Sequence, residues 1–180
     1  IDFTSDMHYR VAGTVSGDPG NGNTILTAGD VNVTGTAEFA VSKYDRDLGT
    51  ITDATLNSYA FNLQGGFSVL PEIDMNLAGA IAVVTVNDNA DNAIYTAIKV
   101  QDANVTASTG TDTFGLDGQL DIDYYHSNSA ADGYDRLDWT NAFEGGVIWN
   151  PGANLPTPAN LDIDFTSDMH YRVAGTVSGD

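Results

Sequence analysis

Apolar and polar residues alternate with a period of two along much of this chain. In the stretch 113–125 one face carries Phe114, Leu116, Leu120, Ile122 and Tyr124, and the other carries Asp117, Gln119, Asp121 and Asp123. Segments 1–16 and 30–42 alternate in the same way. This period is typical of strands with one buried face, whereas the continuous apolar run 80–86 predicts a strand that is covered on both faces.

Clusters of glycine, asparagine and aspartate separate these segments and predict turns. They lie at residues 17–23, 45–49, 87–92, 109–112 and 127–133. Segment 52–63 fits a helical face as well as a strand face, and we favour a strand because context overrides weak propensity among neighbouring strands. The pattern predicts an all-β protein of seven or eight strands, several of them 10–14 residues long, against a usual length of about 5–6.

The two ends of the chain have the same sequence. Residues 163–180 repeat residues 1–18 without a mismatch, and both read IDFTSDMHYRVAGTVSGD. Ile163 corresponds to Ile1, so the period is 162 residues, which suits one domain. Three origins are open: a window of a tandem array of near-identical repeats, a first strand copied to the C-terminus by engineering, or a permuted monomer with redundant ends. In each case the segment is a part that a module can receive from elsewhere in the chain.

The repeat predicts how the chain is divided. Residues 1–18 form the first strand, joining their own or the preceding module; residues 19–149 form the body, residues 150–162 a proline-rich linker, and residues 163–180 the start of the next repeat. Because an unpaired sheet edge is prone to aggregation, we expect the second copy to complete the body by β-augmentation. Alternatively, it is only the first strand of a truncated second domain. The predicted complementing side chains are Phe165, Met169, Tyr171, Val173 and Val177.

The charge of the chain restricts its partners. The net charge of −19 arises from 25 acidic and six basic residues, and a surface of this kind repels nucleic acid and attracts cations. We therefore expect no nucleic-acid partner. The chain has no cysteine, so neither disulfides nor thiolate metal sites are available. No stretch approaches the roughly 18 apolar residues of a membrane helix, so we expect no membrane insertion. The prevalence of aspartate over glutamate predicts little helix.

Calcium is the one cofactor that this composition favours, because it takes oxygen ligands from aspartate, asparagine and carbonyl groups on short loops. The candidate ligands on the predicted turns are Asp18, Asn21, Asn23, Asp45, Asp47, Asp88, Asn89, Asp91, Asp132 and Asp135. None of these loops matches an EF-hand or a GGxGxD nonapeptide, so ordinary polar turns on an acidic surface are the alternative interpretation.

We expect no enzymatic activity, since no G-x-S-x-G, P-loop or Rossmann motif occurs in the chain. The rival function is a carbohydrate- or surface-binding module that presents a stacking platform of aromatic rings to a polysaccharide. The aromatic residues available for such a platform are Tyr124, Tyr125, Tyr134, Trp139 and Trp149. Core packing explains most of them without a ligand.

The chain is acidic, free of cysteine and rich in Asp, Thr, Gly and Asn, and its predicted β-module repeats almost without variation. In these features it resembles the extender repeats of giant bacterial surface adhesins and of biofilm-matrix or extracellular filament proteins. The resemblance implies Ig-like modules, secretion to the cell surface, and calcium that stiffens the array. Because the period exceeds the roughly 100 residues of a simple Ig-like domain, we expect an elongated antiparallel β-sandwich, Ig-like or Greek-key, completed by a strand from across the repeat boundary.

The expected function is therefore a structural tandem-repeat module whose partners are adjacent copies of itself. The alternatives are the polysaccharide-binding module and a pilin-like subunit engineered to complement itself.

Overall fold

The structure is a computed structural model of the chain, and it describes residues 6–16, 24–28, 31–48, 51–69, 73–91, 93–109, 112–127 and 136–179. The strands are β1 (Met7–Ser16), β2 (Thr24–Ala28), β3 (Val31–Thr34), β4 (Thr36–Asp45), β5 (Ala54–Val69), β6 (Ile73–Asp88), β7 (Ala93–Thr109), β8 (Asp112–Ser127) and β9 (Tyr171–Gly179). Two short 3-10 segments lie at Glu144–Gly146 and Pro151–Asn154.

All the described strands belong to one antiparallel sheet, whose main order is β1-β4-β5-β6-β7-β8-β9. β3 and β4 together follow the length of β5, since Val31 pairs with Val69 at one end and Asp45 pairs with Thr55 at the other. β2 pairs with β3 and therefore continues the line of β1, which pairs with β4. From β4 to β8 the sheet is a meander, in which strands that follow one another in the chain lie side by side.

The prediction of an all-β protein is confirmed, and the described residues contain no α-helix. Segment 52–63 is a strand, as favoured, because it lies almost wholly within β5. The Ig-like or Greek-key sandwich is not confirmed, since the described strands form a single sheet, and the predicted count of seven or eight strands is not confirmed either, since nine strands are described. The predicted strand 30–42 is divided at Gly35, whose φ of 92° lies in the left-handed region that glycine tolerates.

One face of the sheet carries the hydrophobic core. Small side chains line part of this face, where Ala40 pairs with Ala60 and Ala60 with Ala82. They leave room for the bulky residues of an irregular layer that we term the cover segment (residues 136–169). The core residues that the cover segment contributes are Trp139, Ala142, Phe143, Leu155, Leu161, Ile163 and Phe165.

The proline-rich stretch 150–162, which was predicted to link one repeat to the next, contributes to this core. Leu155 and Leu161 are 4% and 0% exposed and belong to the core cluster. The carbonyl of Gly152 accepts hydrogen bonds from the N–H groups of Leu155 and Ala159 at 3.2 and 3.1 Å, which closes the stretch into a compact loop. Proline disfavours helix and sheet, but it does not prevent an irregular segment from packing against one.

The opposite face of the middle strands is also apolar and buried. Phe61, Ile81 and Val100 are each 0% exposed, and they lie in one row across β5, β6 and β7. The run 80–86 therefore packs on both sides in its central part, as its continuous hydrophobicity predicts: Ile81, Ala82, Val83 and Val84 are all at most 3% exposed.

Candidate assembly site at the two edges of the sheet

The two copies of the repeated sequence lie at opposite edges of the same sheet. β1 pairs with β4, and β9 pairs with β8 over nine residues, from Phe114 opposite Gly179 to Ile122 opposite Tyr171. Residues 9–16 of β1 have the same sequence as residues 171–178 of β9. One sequence therefore forms a strand at each end of the strand order.

The two copies also have the same direction and the same facing. Six antiparallel steps separate β1 from β9, so the two strands run parallel to each other across the sheet. The row of paired residues that starts at Ala12 in β1 ends at Arg172 in β9, which places both on one face. Arg10, the counterpart of Arg172, lies two residues before Ala12 and therefore shares that face.

A cluster of four charged residues joins β9 to the sheet, and we term it the junction cluster (Lys99, Asp121, Asp164 and Arg172). The guanidinium group of Arg172 donates through Nε to Oδ2 of Asp121 at 2.6 Å, and through Nη2 to Oδ1 of Asp164 at 3.4 Å. Lys99 Nζ donates to the same Oδ1 at 2.9 Å. Asp121 is 0% exposed and Lys99 is 6% exposed, so the cluster balances two buried charges of opposite sign.

Two members of this cluster, Asp164 and Arg172, have pKa values displaced in the direction that favours their charged forms. Burial pulls the pKa of Asp164 upward, but the hydrogen bond and charge of Lys99 and the charge of Arg172 outweigh it and hold the pKa below its ordinary value. The hydrogen bond to Asp121 is the largest cause of the raised pKa of Arg172. Opposite charges at these distances stabilise the ionised state of each partner.

The residues just before β9 anchor the second copy in the core. Ile163 is 0% exposed and forms an isolated antiparallel bridge with Trp149. Phe165 is 1% exposed, and its carbonyl accepts a hydrogen bond from the N–H of Trp139 at 2.9 Å. The second copy thus supplies core side chains as well as half of the junction cluster.

The first copy makes different contacts at its own edge. Arg10 donates through Nη1 to Oδ1 of Asn154 at 3.3 Å, in an exposed position. His8 Nε2 lies 2.5 Å from Oδ2 of Asp45, and this hydrogen bond is the largest cause that lowers the pKa of Asp45. In the second copy, the corresponding Nε2 of His170 lies 2.7 Å from Nη1 of Arg136. Identical side chains therefore meet different partners at the two edges.

Both edges leave apolar side chains open to solvent. Val11 and its counterpart Val173 are each 53% exposed, and Tyr9 and its counterpart Tyr171 are 42% and 74% exposed. Val11 is paired with Val41 on one side, and Val173 is paired with Leu120 on the other. Each copy therefore lacks the neighbour that the other copy has.

The predicted complementing residues occupy different environments. Phe165 is buried in the core and Met169 packs against it, but both precede β9. Tyr171 and Val173 lie in β9 with their side chains largely exposed, and Val177 is paired with Leu116. Asp164 and Arg172 were not among the predicted site residues. The sequence signal for them is the scarcity of basic residues, six in the whole chain, beside many carboxylates.

Five of the predicted calcium ligands lie outside the described residues: Asp18, Asn21, Asn23, Asp132 and Asp135. The other five, Asp45, Asp47, Asp88, Asn89 and Asp91, lie in the β4–β5 and β6–β7 connections or at their borders.

Hydrogen bonds within the chain organise these two connections. Oδ1 of Asp88 accepts from the N–H groups of Ala90 and Asp91 at 3.0 and 3.1 Å, and Nδ2 of Asn89 donates to the carbonyl of Asp53 at 2.8 Å. Within the described ranges no group of three or more acidic or histidine side chains has the arrangement of a metal site. Calcium binding stays a prediction.

The two tryptophans proposed for a stacking platform take part in internal packing. Trp139 is 0% exposed. Trp149 stacks on Phe143 and meets Tyr44 edge-on, each with ring centroids 5.2 Å apart, and its Nε1 donates to Oγ of Ser58 at 3.0 Å. Tyr124 and Tyr125 lie in β8, and Tyr134 lies outside the described residues.

The chain matches no protein-family model, no curated protein and no solved structure. In the part of the chain that the structure describes, no helix is long and apolar enough to cross a membrane.

Proposed function

We propose that this chain is a structural tandem-repeat module of an extracellular filament, adhesin stalk or biofilm-matrix fibre, and that successive modules are joined end to end by β-strand complementation. The observation that carries the proposal is the pairing of β9, the start of the next repeat, along β8. Complementation within one chain has a high effective concentration, in the millimolar range for short tethers, so such a joint stays closed.

Side-chain chemistry supports the same function. Asp164 and Arg172 belong to the second copy, whereas Lys99 and Asp121 belong to the body of the module. Each side of the joint contributes one acid and one base, and a strand without these charges would take Arg172 away from the buried Asp121 and Asp164 away from the buried Lys99. The joint is therefore selective for this sequence, since a desolvated charge needs its partner.

The absence of cysteine and the acidic surface fit an extracellular location, and calcium on the acidic loops would stiffen the array. A self-complementing, pilin-like single subunit is the second candidate, because in this chain β9 pairs with β8 of the same molecule. The polysaccharide-binding module is less well supported, since Trp139 and Trp149 pack internally.

Electron microscopy of chains with one, two and four periods tests the proposal. We expect unbranched particles whose length grows by a constant increment with each added period. Particles that bend freely between globular units would contradict end-to-end complementation and would favour subunits that each complement themselves.

A further inference from the structure

We infer that one copy of the repeated strand serves two modules at once, as β9 of one module and β1 of the next, so that a single sheet runs without interruption through the array. This inference deepens the proposed function and depends on it. It differs from a chain of separate sheets, in which the boundary strand belongs to one module only and keeps a free edge.

The geometry of the backbone supports the shared strand. In a strand, successive N–H and C=O groups point alternately to the two lateral edges. β1 and β9 run in the same direction with the same facing, yet β4 lies on one lateral side of β1 and β8 lies on the opposite side of β9. The two pairings therefore use alternate backbone groups of the same sequence, and one strand can make both of them together.

The hydrogen bonds of the arginine that this strand carries also support the shared strand. As Arg172 it uses Nε and Nη2 to bind Asp121 and Asp164, and as Arg10 it uses Nη1 to bind Asn154. The two sets of hydrogen bonds occupy different nitrogen atoms of one guanidinium group, which has five N–H donors in a fixed fork. A single arginine at the boundary is compatible with both sets.

The histidine of the strand behaves differently. His8 uses Nε2 toward Asp45, and His170 uses Nε2 toward Arg136, so a shared strand keeps one of these contacts and loses the other. Both contacts are exposed, so exchanging one for the other has a small effect compared with the backbone pairing.

The exposure of apolar side chains at the two edges also supports the shared strand. Val11 and Val173 are the same residue of the repeat, and each is 53% exposed at an open edge. In a shared strand this valine has Val41 on one side and Leu120 on the other. The continuous sheet covers apolar surface that both edges of the single chain leave open, and it removes the free edges that favour aggregation.

A continuous sheet has a defined rise per repeat. Six strand spacings separate β1 from β9, and at about 4.8 Å each they give at most about 29 Å per period along the array. Aligned fibres of a multi-period chain should therefore show a meridional reflection near about 4.8 Å. A length increment clearly above about 29 Å per period overturns the shared strand even if the particles are straight.

Proline substitutions at two consecutive positions provide the decisive test. Val173→Pro and Ala174→Pro each remove one N–H, and the two groups point to opposite edges. In the 180-residue chain, we expect only the substitution facing β8 to lower the melting temperature strongly, by about 5 °C or more, since proline is tolerated at an open edge. In a chain extended by one period, we expect both substitutions at this boundary to do so. Val173→Ala and Ala174→Gly control for the altered side chains.

The outcomes separate the inference from the function on which it depends. If neither proline lowers the melting temperature of the 180-residue chain, β9 is not docked and the proposed complementation fails. If one position is sensitive in the short chain and still only that one in the extended chain, the joint exists but the strand is not shared. An internal check uses Val11→Pro and Ala12→Pro, where the sensitive position should be the opposite one, because β1 is paired along its other edge.

Discussion

Replacing Arg172 by glutamine should destabilise the chain far more than replacing Arg10 by glutamine, although the two residues occupy equivalent positions in identical sequences. Arg172 binds Asp121, which is 0% exposed, whereas Arg10 binds the neutral amide oxygen of Asn154 in an exposed position. Arg172→Gln removes the cation nearest to a buried carboxylate. Arg10→Gln removes one exposed hydrogen bond.

The expected magnitudes follow from these environments. Breaking a buried ion pair by removing one partner costs about 3–5 kcal/mol. The side chain of Arg172 is 46% exposed, so water screens part of the interaction and we expect a loss of about 2–3 kcal/mol for Arg172→Gln. For Arg10→Gln we expect about 0.5 kcal/mol or less. In a domain of this size, 1 kcal/mol corresponds to about 2–4 °C. The melting temperature should therefore fall by about 5–10 °C for Arg172→Gln and by about 2 °C or less for Arg10→Gln.

Thermal unfolding followed by circular dichroism, with urea titration as a second measurement, compares the two variants directly. Adding Asp121→Asn to Arg172→Gln should recover part of the loss, because the buried carboxylate that Arg172 binds is then removed as well. Equal melting temperatures for the two single variants would refute the reasoning, since they would show that the second copy is not docked against β8 in solution.

Three further predictions concern other parts of the molecule. Because the pKa of Asp164 is lowered in the folded state, this residue should contribute stability above its unfolded pKa of about 3.9, and the contribution should be lost as the pH falls through the lower folded value. Asp164→Asn should therefore be less stable than the parent at pH 7. A difference in stability that persists unchanged at pH 2.5 would contradict this. Gly152→Ala should lower the free energy of unfolding by about 1–3 kcal/mol, because the added Cβ would lie 2.3 Å from the carbonyl oxygen of Ala159. Ala153→Ser at an exposed neighbouring position is the control, and an unchanged urea midpoint for Gly152→Ala would show that the loop is not packed as described. If the acidic loops bind calcium, adding calcium but not magnesium should raise the melting temperature by many degrees, and a titration without a shift would remove calcium from the account.

Much of the sheet could be predicted from the alternation of residues, because that period reports directly which face of a strand is buried. The stretch 113–125 lies within β8, and the apolar run 80–86 lies in β6, where both faces are buried. The stretch 150–162 has no such period, and its prolines indicated a linker. Its place in the core depends on contacts between residues far apart in the chain, such as Leu161 against the alanine-lined face of the sheet.

The sequence by itself determined that the chain is rich in strands and that its residues 163–180 repeat residues 1–18 without a mismatch. Only the tertiary structure decided what each copy does. Arg10 and Arg172 have identical neighbours along the chain, yet Arg10 donates to the neutral amide oxygen of Asn154 whereas Arg172 donates to a buried aspartate. The physical reason is that local sequence sets which backbone and side-chain groups a strand offers, whereas the edge at which the strand lies sets which partners those groups meet.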